Sequence, residues 1–318
     1  MSKIKNFVYC FDDNYNIQAQ CSMVSLLEKV SEKINIYIIH SLTLNEKFLS
    51  KKILNHRNLN KIEVFYHQSK NIKFPMLDNG HVSEATYYRF FMSKYIDRDI
   101  ESLVYLDSDI LCLNDPIQII NKEEERLKNS GKPIGAVVEY KHEENSPEIQ
   151  RLKLDSDYFN AGVLLVNYQL WLKDDIERKL VNHMESIKEK IIYWDQDVLN
   201  SFFNNNFNKI PKELNYSTSV NLDYRSKYRE IVDTVSFFHY SGKAKPWTIK
   251  GTNSQFSEIY HQNFRILFEK KYHFETFYKK LETWYLINNI LRLKFLQLDF
   301  PIRYILESLK SLFLSARD

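Results

Sequence analysis

The sequence predicts an α/β protein with a mostly parallel central sheet and a helical tail at its C-terminus. Near the start of the chain, three short apolar runs alternate with two segments of helical periodicity, and this βαβαβ order implies parallel strands covered by helices. The 318 residues are 44% hydrophobic and 27% charged, which is ordinary for a globular protein. With only 6 Gly and 7 Pro, the chain has no evident flexible linker.

The opening elements follow from local patterns. Residues 6–11, 35–40 and 62–66 are apolar runs of strand length. Residues 15–30 and 44–55 instead place apolar side chains three or four positions apart, as on the buried face of a helix.

The later elements are predicted in the same way. A helix is expected over residues 83–95, because Ser83 is a suitable N-cap, and an apolar strand begins at Leu103. The remaining predicted elements are strands over 134–138, 161–167 and 234–240 and helices over 169–190 and 195–204.

The most informative stretch is Asp107-Ser108-Asp109, at the end of the strand from Leu103. Positions i and i+2 of a strand point the same way, so both carboxylates should project from its carboxyl end, where α/β sheets place ligands. Two like charges repel, and a cation such as Mg²⁺ or Mn²⁺, which also bridges phosphates, relieves the repulsion. Asp-x-Asp triplets are common in ordinary turns and N-caps, so the triplet alone favours the structural interpretation. Its position after an apolar strand leaves both interpretations open.

Two polar clusters precede this triplet. Asp12, Asn14 and Tyr15 follow the first strand, where a carboxylate can accept hydrogen bonds from a ribose or from the N–H of uracil, or simply cap the next helix. Arg89 lies on the predicted helix 83–95 and can pair with a phosphate or with a nearby carboxylate. Taken alone, each cluster favours the structural interpretation.

A third cluster combines two segments of the chain. The corner Asn160–Gly162 would let a ligand approach the backbone of a buried strand closely. Asp195 opens a helix, where the helix dipole alone favours a carboxylate, but the dipole does not explain Gln196.

The fourth cluster starts at His239, which ends a late strand. The chain then leads through Gly242 to Lys245, and this lysine with the backbone N–H near Gly242 could hold a diphosphate. A neutral His is a competent metal ligand, although a lone His at a strand end is more often structural.

Charge and cysteine content argue against several classes. A formal net charge of only +3 argues against a dedicated nucleic-acid-binding protein. The three cysteines (Cys10, Cys21 and Cys112) form neither a disulfide framework nor a Cys-x-x-Cys metal motif, and fit a reducing cytosol. The sequence shows no signal-peptide pattern and no run of eighteen uncharged apolar residues, so no transmembrane helix is expected.

The predicted domains are a main domain, residues 1–263, and a tail, residues 264–318. The tail interleaves aromatic residues such as Tyr272 and Trp284 with lysines, and residues 265–318 hold ten Lys/Arg against six Asp/Glu. Basic and aromatic residues on amphipathic helices favour contact with a membrane surface. The alternative is a helical subdomain that buries its aromatic residues against the main domain or a partner chain.

Together and in this order, the triplet and the clusters resemble glycosyltransferase family 8, the retaining nucleotide-sugar transferases. They look most like the bacterial lipopolysaccharide galactosyl- and glucosyltransferases of that family, over about residues 5–250. The matching segments are Asp12–Tyr15, His81–Arg89, Tyr105–Asp109, Phe159–Asn167, Asp195–Asn200 and His239–Trp247.

The resemblance implies that the main domain is the catalytic domain and has a GT-A type fold. It also implies a UDP-sugar as donor substrate and Mn²⁺ (or Mg²⁺) as cofactor. Three metal ligands are implied: Asp107, Asp109 and His239. The donor contacts it implies are Asp12, Asn14, Tyr15 and Val82 on uridine, Arg89, Asn160 and Asp195 on the sugar, Gly242 and Lys245 on the diphosphate, and Ser108 beside the metal ligands.

Gln196 and Asp195 are the predicted catalytic residues, with Gln196 on the β face of the anomeric carbon. A double displacement needs a carboxylate nucleophile, and an amide is a poor one, so front-face attack with Gln196 as electrostatic support is favoured. Asp195 is the only good carboxylate candidate for a nucleophile near the anomeric carbon. The sequence departs from the family pattern at two positions. Glu139, near the donor sugar, stands where an Asp is common, so the choice between galactose and glucose as the transferred sugar stays open. Lys243 stands where a Pro is common.

The expected acceptor is a lipid-linked saccharide such as a lipooligosaccharide core. The enzyme is expected to work at the cytoplasmic face of a bacterial inner membrane, with the tail docked to that surface. No nucleic-acid partner is expected. On this view, the donor site does not need the tail. The alternatives are a protein or glycogenin-like acceptor, and a non-catalytic module that binds nucleotide sugars.

Overall fold

The computed structural model describes residues 4–43, 48–69, 72–75, 83–144, 146–242 and 244–314. Its strands are β1 (Lys5–Phe11), β2 (Ile34–His40), β3 (Leu59–Tyr66), β4 (Ser102–Leu106), β5 (Ile110–Cys112), β6 (Ile134–Tyr140), β7 (Tyr158–Asn167), β8 (Phe207–Lys209), β9 (Tyr216–Ser217) and β10 (Phe237–His239). Its α-helices are α1 (Asn16–Lys29), α2 (Lys51–Leu54), α3 (Ile117–Ser130), α4 (Pro147–Leu152), α5 (Tyr168–Lys173), α6 (Ile176–Ser186), α7 (Trp194–Phe202), α8 (Tyr228–Thr234), α9 (Gln255–Leu267), α10 (Lys279–Leu291) and α11 (Pro301–Leu314). Its 3-10 segments are Asp13–Tyr15, Glu84–Lys94, His142–Glu144, Lys188–Lys190, Lys212–Leu214, Tyr224–Lys227 and Lys294–Gln297.

A seven-stranded sheet in the order β3-β2-β1-β4-β7-β6-β8 forms the centre of the molecule. The strands from β3 to β4 in this order run parallel, β7 runs antiparallel to both of its neighbours, and β8 is parallel to β6. A second sheet has the order β5-β10-β9. The predicted α/β class with a mostly parallel sheet is therefore confirmed.

The large sheet buries alternate residues on opposite faces, as strand geometry requires. Val8 and Tyr105 lie in one buried cluster with side chains of the 3-10 segment Glu84–Lys94 and of α6 and α7. Phe7 and Val104, one position earlier on the same strands, pack against α1 and α3. Both faces are thus covered, which explains why these strands are apolar at nearly every position.

The chain changes sheets at the Asp107–Asp109 triplet. Strand β4 of the large sheet ends at Leu106, and β5 of the small sheet begins at Ile110. The triplet is therefore a turn. Its two carboxylates do come together at the carboxyl end of β4, as predicted, but the turn and not strand alternation brings them there. A hydrogen bond from the Asp107 N–H to the Gly162 carbonyl (2.9 Å) anchors the start of this turn to β7.

Two predicted helices are too long. The first is the helix predicted over residues 44–55, of which residues 44–47 lie outside the described residues. In the described part, α2 covers only Lys51–Leu54, because the Ser50 hydroxyl accepts from the Lys52 N–H and caps the helix there. The predicted helix 169–190 is broken between α5 and α6, where Asp175 takes a left-handed φ of 51°.

Two other elements differ in type or in length. The predicted helix 83–95 is a 3-10 segment, although Ser83 caps it as expected by accepting from the Ala85 N–H. The predicted strand 234–240 is shortened to β10, because α8 continues to Thr234.

The C-terminal helices pack onto the main domain. Tyr272, Leu286 and Tyr304 form a buried cluster with Ile249 of the main domain. The boundary predicted between residues 263 and 264 falls inside helix α9. The division into two domains stays a prediction. Within residues 4–314, as far as they are described, no helix is long and apolar enough to cross a membrane.

Candidate active site

Asp107, Asp109 and His239 converge, each with one ligand atom within 4.8 Å of the others. The two carboxylates lie in the turn between the sheets. His239 ends β10, which pairs antiparallel with β5 so that His239 faces Ile110, the residue after Asp109. The His239 Nε2 lies 3.3 Å from the Asp109 Oδ1. The predicted ligand set is therefore brought together, through the pairing of two short strands.

The orientation of the His239 ring is set by two buried amides. Asn215 donates from its Nδ2 to the Asn160 Oδ1 (2.8 Å), so its own Oδ1 faces the His239 Nδ1 at 3.0 Å and must accept from it. This arrangement puts the ring proton on Nδ1 and leaves the Nε2 lone pair free to bind a metal ion. Asn215 lies outside every predicted motif, and sequence analysis missed it.

Gly162 makes room for the same ring. A Cβ at this position would lie 2.5 Å from the His239 Cε1 and 2.8 Å from its Nδ1. Sequence analysis predicted that this corner admits a ligand to the backbone. The structure shows that a side chain of the protein fills the space.

Arg89 links the triplet to Asp195. Its Nη2 lies 2.7 Å from the Asp107 Oδ1 and its Nε lies 3.0 Å from the Asp195 Oδ2. The guanidinium lies 4.0 Å from the centre of the Tyr105 ring. Burial alone would lower the pKa of Arg89, but the two carboxylates outweigh burial and raise it, so Arg89 is a permanent cation here.

Lys245 occupies the side of Asp109 away from His239. Its ammonium forms an ion pair with the Asp109 Oδ2 and donates to the Tyr240 carbonyl. Burial would raise the pKa of Asp109, but the Lys245 ammonium beside it opposes burial, and this pKa lies below its usual range. Asp109 is therefore ionised and already has a cation beside it.

Gln196 and Glu139 meet at the other end of the site. The Gln196 Oε1 accepts from the Ala161 N–H (3.0 Å), and its Nε2 donates to the Glu139 Oε2 (2.9 Å) and the Tyr158 hydroxyl (3.2 Å). Asn160 also donates to the Glu139 Oε2 (3.1 Å). Glu139 is thus a second carboxylate beside Gln196, whereas sequence analysis considered only Asp195 there.

Asp195 is buried, with one oxygen hydrogen-bonded and the other held only in an ion pair, without a hydrogen-bond partner. One accepts from the Thr86 hydroxyl and the other faces Arg89. Burial raises the pKa of Asp195 to about 6, although Arg89 and Thr86 oppose this effect. A carboxylate held in this way is poorly placed to act as a nucleophile.

The turn that leads into α7 is strained and firmly held. Trp194, next to Asp195, takes a left-handed φ of 46°, which is costly for a bulky side chain. The fully buried Asp197 stabilises the turn, because it accepts from two nitrogens of Arg151 (2.8 and 3.1 Å) and from the backbone N–H groups of Ile192 and Tyr193. This network fixes the direction in which Asp195 and Gln196 leave the helix.

The first cluster adjoins the metal group. Asp12 accepts from the backbone and side-chain nitrogens of Asn14 (3.1 and 3.0 Å), so its capping interpretation is confirmed, while its contact with uridine stays a prediction. The Tyr15 ring packs edge-on against Trp247 at 6.1 Å, and burial followed by the charge of Asp109 raises its pKa.

Ser108, Gly242 and Val82 are the remaining predicted donor contacts. Ser108 is buried within the turn between its two carboxylate neighbours. Gly242 has a left-handed φ of 81°, a conformation that favours glycine. Val82 and the unusual Lys243 lie outside the described residues.

The sequence matches the family model "Glycosyl transferase family 8" over residues 6–251. It is 30% identical over 259 residues to a lipopolysaccharide 1,2-glucosyltransferase of Escherichia coli, covering 76% of this chain and 73% of that one. It is 28% identical over 251 residues to a lipopolysaccharide 1,3-galactosyltransferase of Salmonella typhimurium, covering 76% and 72%.

The structure is similar to that of the galactosyltransferase LgtC, solved in complex with donor and acceptor sugar analogues. The TM-score is 0.69 at 24% sequence identity, over 82% of this chain and 96% of that one. Glycosyltransferase GlyE of Streptococcus pneumoniae is more distant, with a TM-score of 0.60 at 20% identity over 83% and 60%. The likeness to LgtC shows that the chain has the predicted GT-A type fold.

Asn215→Leu is expected to free the His239 Nδ1 and to mix the two ring tautomers. Asn215→Asp keeps an acceptor for the Nδ1–H and is expected to hold the wild-type tautomer. Asn215→Leu leaves the buried His239 Nδ1–H without an acceptor, and Asn215→Asp sets a carboxylate against the Asn160 Oδ1, so each should lose about 1–3 kcal/mol of unfolding free energy. The ¹⁵N chemical shifts of His239 in metal-free protein measure the tautomer. An unchanged tautomer in Asn215→Leu would show that Asn215 does not control it.

Proposed function

The chain belongs to glycosyl transferase family 8 and is a hexosyltransferase, and we propose that it moves galactose or glucose from a UDP-sugar to a saccharide acceptor in a metal-dependent reaction that retains configuration. The observation that carries this proposal is the convergence of Asp107, Asp109 and His239. Relatives that act on lipopolysaccharide, by their names, support a lipopolysaccharide or lipooligosaccharide acceptor.

The donor set fits a divalent cation. Two carboxylates and an imidazole with a free Nε2 suit Mn²⁺, whereas Mg²⁺ prefers oxygen ligands alone. When bound, such an ion supplies a Lewis acid that neutralises the charge on the departing UDP. In this proposal Lys245 leaves the Asp109 Oδ2 when the ion binds, and its ammonium is then available to hold the diphosphate.

The residues at the sugar end support front-face attack. Gln196 is fixed by Ala161 and Glu139, so its amide dipole is preorganised next to the place proposed for the anomeric carbon. Asp195 is engaged by Thr86 and Arg89 and acts in this proposal by orienting the donor sugar through Arg89. Glu139 orients Gln196 and Asn160 together.

The C-terminal helices support docking to a membrane surface. Helix α10 turns Glu282, Leu286 and Asn289 inward. It exposes the large apolar side chains Leu281, Trp284, Ile287 and Leu291. Helix α11 adds Ile302, Leu306, Leu309 and Phe313 to this surface. We refer to these eight side chains as the apolar surface.

Positive charge supports an anionic lipid surface as the occupant. Six basic side chains of the two helices and their connection are exposed: Lys279, Lys280, Arg292, Lys294, Arg303 and Lys310. Apolar area flanked by such cations is typical of segments that lie in the headgroup region of a membrane. We propose that the enzyme works there, at the cytoplasmic face of the inner membrane.

A donor screen tests the proposed reaction. Wild-type protein with Mn²⁺ is expected to release UDP from UDP-galactose or UDP-glucose, and from their N-acetyl forms more slowly. Asp109→Ala should abolish this release, whereas Gln196→Ala should retain part of it, because removing one preorganised contact costs about 10²–10³ in rate. Equal and complete loss in both variants contradicts this ranking. Metal-dependent UDP binding without turnover would indicate the non-catalytic module.

Lys245→Met is expected to strengthen Mn²⁺ binding in the absence of nucleotide. The lysine competes for Asp109, and losing a hydrogen bond between charged groups corresponds to roughly tenfold in affinity. Turnover should nevertheless fall, because the diphosphate loses a cation. Electron paramagnetic resonance of free Mn²⁺ gives the affinity, with the exposed Lys250→Met as control. Unchanged or weaker Mn²⁺ binding in Lys245→Met would exclude the competition.

Glutamate in place of Trp284 and Leu291 is expected to prevent binding to vesicles that contain phosphatidylglycerol. Each change removes apolar area and adds a charge that anionic lipid repels. Vesicle co-sedimentation measures the effect, and Ile4→Glu, at the amino end of β1, is the control. Concentration-dependent dimerisation without vesicle binding would assign the apolar surface to a second copy of the chain.

A further inference from the structure

The loop that carries Lys245 is held through three successive carbonyl groups. The Lys245 carbonyl accepts from the N–H and the hydroxyl of Thr248 (3.0 and 2.8 Å). The Pro246 carbonyl faces the His261 Nε2 at 3.0 Å and also accepts from the Thr252 hydroxyl (3.0 Å). The Trp247 carbonyl accepts from the Glu275 N–H (2.8 Å). The last of these donors lies in the predicted tail.

His261 joins the loop to the segment Tyr272–Thr276. The ring is fully buried, its Nε2 faces a carbonyl oxygen, and its Nδ1 accepts from the His273 N–H (3.4 Å). His273 itself bonds the Tyr260 hydroxyl through its Nδ1 (2.7 Å). A neutral imidazole is required to donate on one side and accept on the other, and burial keeps the pKa of His261 well below its usual value.

Glu275 reaches the helix behind the nucleotide end of the site. Its Oε1 accepts from the Nε2 of Gln18, a fully buried residue on α1 one turn after Tyr15. The Tyr15 ring packs against Trp247. The segment Tyr272–Thr276 is therefore bonded to both walls between which the predicted diphosphate and nucleotide contacts lie.

The loop has little freedom to move on its own. A Cβ at Gly251 would lie 1.9 Å from the Lys245 carbonyl oxygen, so the backbone there is packed as closely as glycine allows. Ile249, between these two residues, is buried in the cluster with Tyr272, Leu286 and Tyr304. Packing from the C-terminal helices thus reaches within a few residues of Lys245.

We propose that residues 261–276 are a structural part of the donor site, with His261 and Glu275 as positioning residues that fix the backbone of Lys245–Trp247. On this fixed backbone, the Lys245 side chain can exchange Asp109 for a diphosphate without movement of the loop. The inference rests on the proposed function for the identity of that ligand. It also revises the expectation that the donor site does not need the tail.

Three full-length variants test the inference. His261→Ala removes the donor to Pro246, and His261→Gln restores an N–H that can reach the same carbonyl. Leu180→Ala, in the buried core at α6, is the control for a general loss of stability. Amide hydrogen exchange of the peptide 245–252 is measured without ligand, and the affinity for UDP with Mn²⁺ is measured by calorimetry.

His261→Ala is expected to speed exchange at the Thr248 and Gly251 amides and to weaken UDP binding, each by about three- to tenfold. His261→Gln should stay close to wild type in both, and Leu180→Ala should alter neither. Wild-type exchange in His261→Ala, or equal acceleration in Leu180→Ala, would overturn the inference. Absence of UDP binding by the wild type, with the exchange effect intact, would instead reject the proposed function.

Discussion

The antiparallel pairing of β5 with β10 is the constraint on which the site depends. It is only three residues long, yet it sets His239 beside the turn that carries both carboxylates. The turn exists because the chain leaves the large sheet after Leu106 and must cross to the small one. A shift of this register by one residue would point His239 to the other face of its strand and separate the three side chains.

A continuous series of hydrogen bonds extends this constraint to the opposite end of the site. It runs from His239 through Asn215 and Asn160 to Glu139, and from there to Gln196. Amides have one donor and one acceptor end, so the direction of each bond fixes the next. The ring tautomer at the metal end and the amide orientation at the sugar end are therefore set by one network, and buried networks of this kind hold a single geometry.

Much of the fold and the two carboxylates of the metal group could be predicted from local signals, namely apolar periodicity and the Asp107–Asp109 triplet. His239 joined the predicted ligands only through the resemblance to the family. The amphipathic helix α3 was missed although its inward positions Ile117, Ile120 and Leu127 show helical spacing. Asn215 could not be found, since an isolated Asn acquires its role only from side chains far away in the chain. The purpose of Gly162 was likewise hidden, because the ring that fills its missing Cβ belongs to a residue 77 positions later.

Helix α10 buries Glu282 and Asn289 beside Leu286 and exposes Leu281, Trp284, Ile287 and Leu291, so two polar side chains lie inside while large apolar ones face outward. Asn289 donates to the Tyr304 hydroxyl of α11 (2.8 Å), which links the two helices while Trp284 and Leu291 remain exposed. On the proposed docking to a membrane surface, this face would concentrate the enzyme at the lipid boundary. If the acceptor is confined to the same lipid surface, enzyme and acceptor meet by diffusion in two dimensions. The rate of sugar transfer then depends on their densities per unit area of that surface and not on their concentrations in bulk solution.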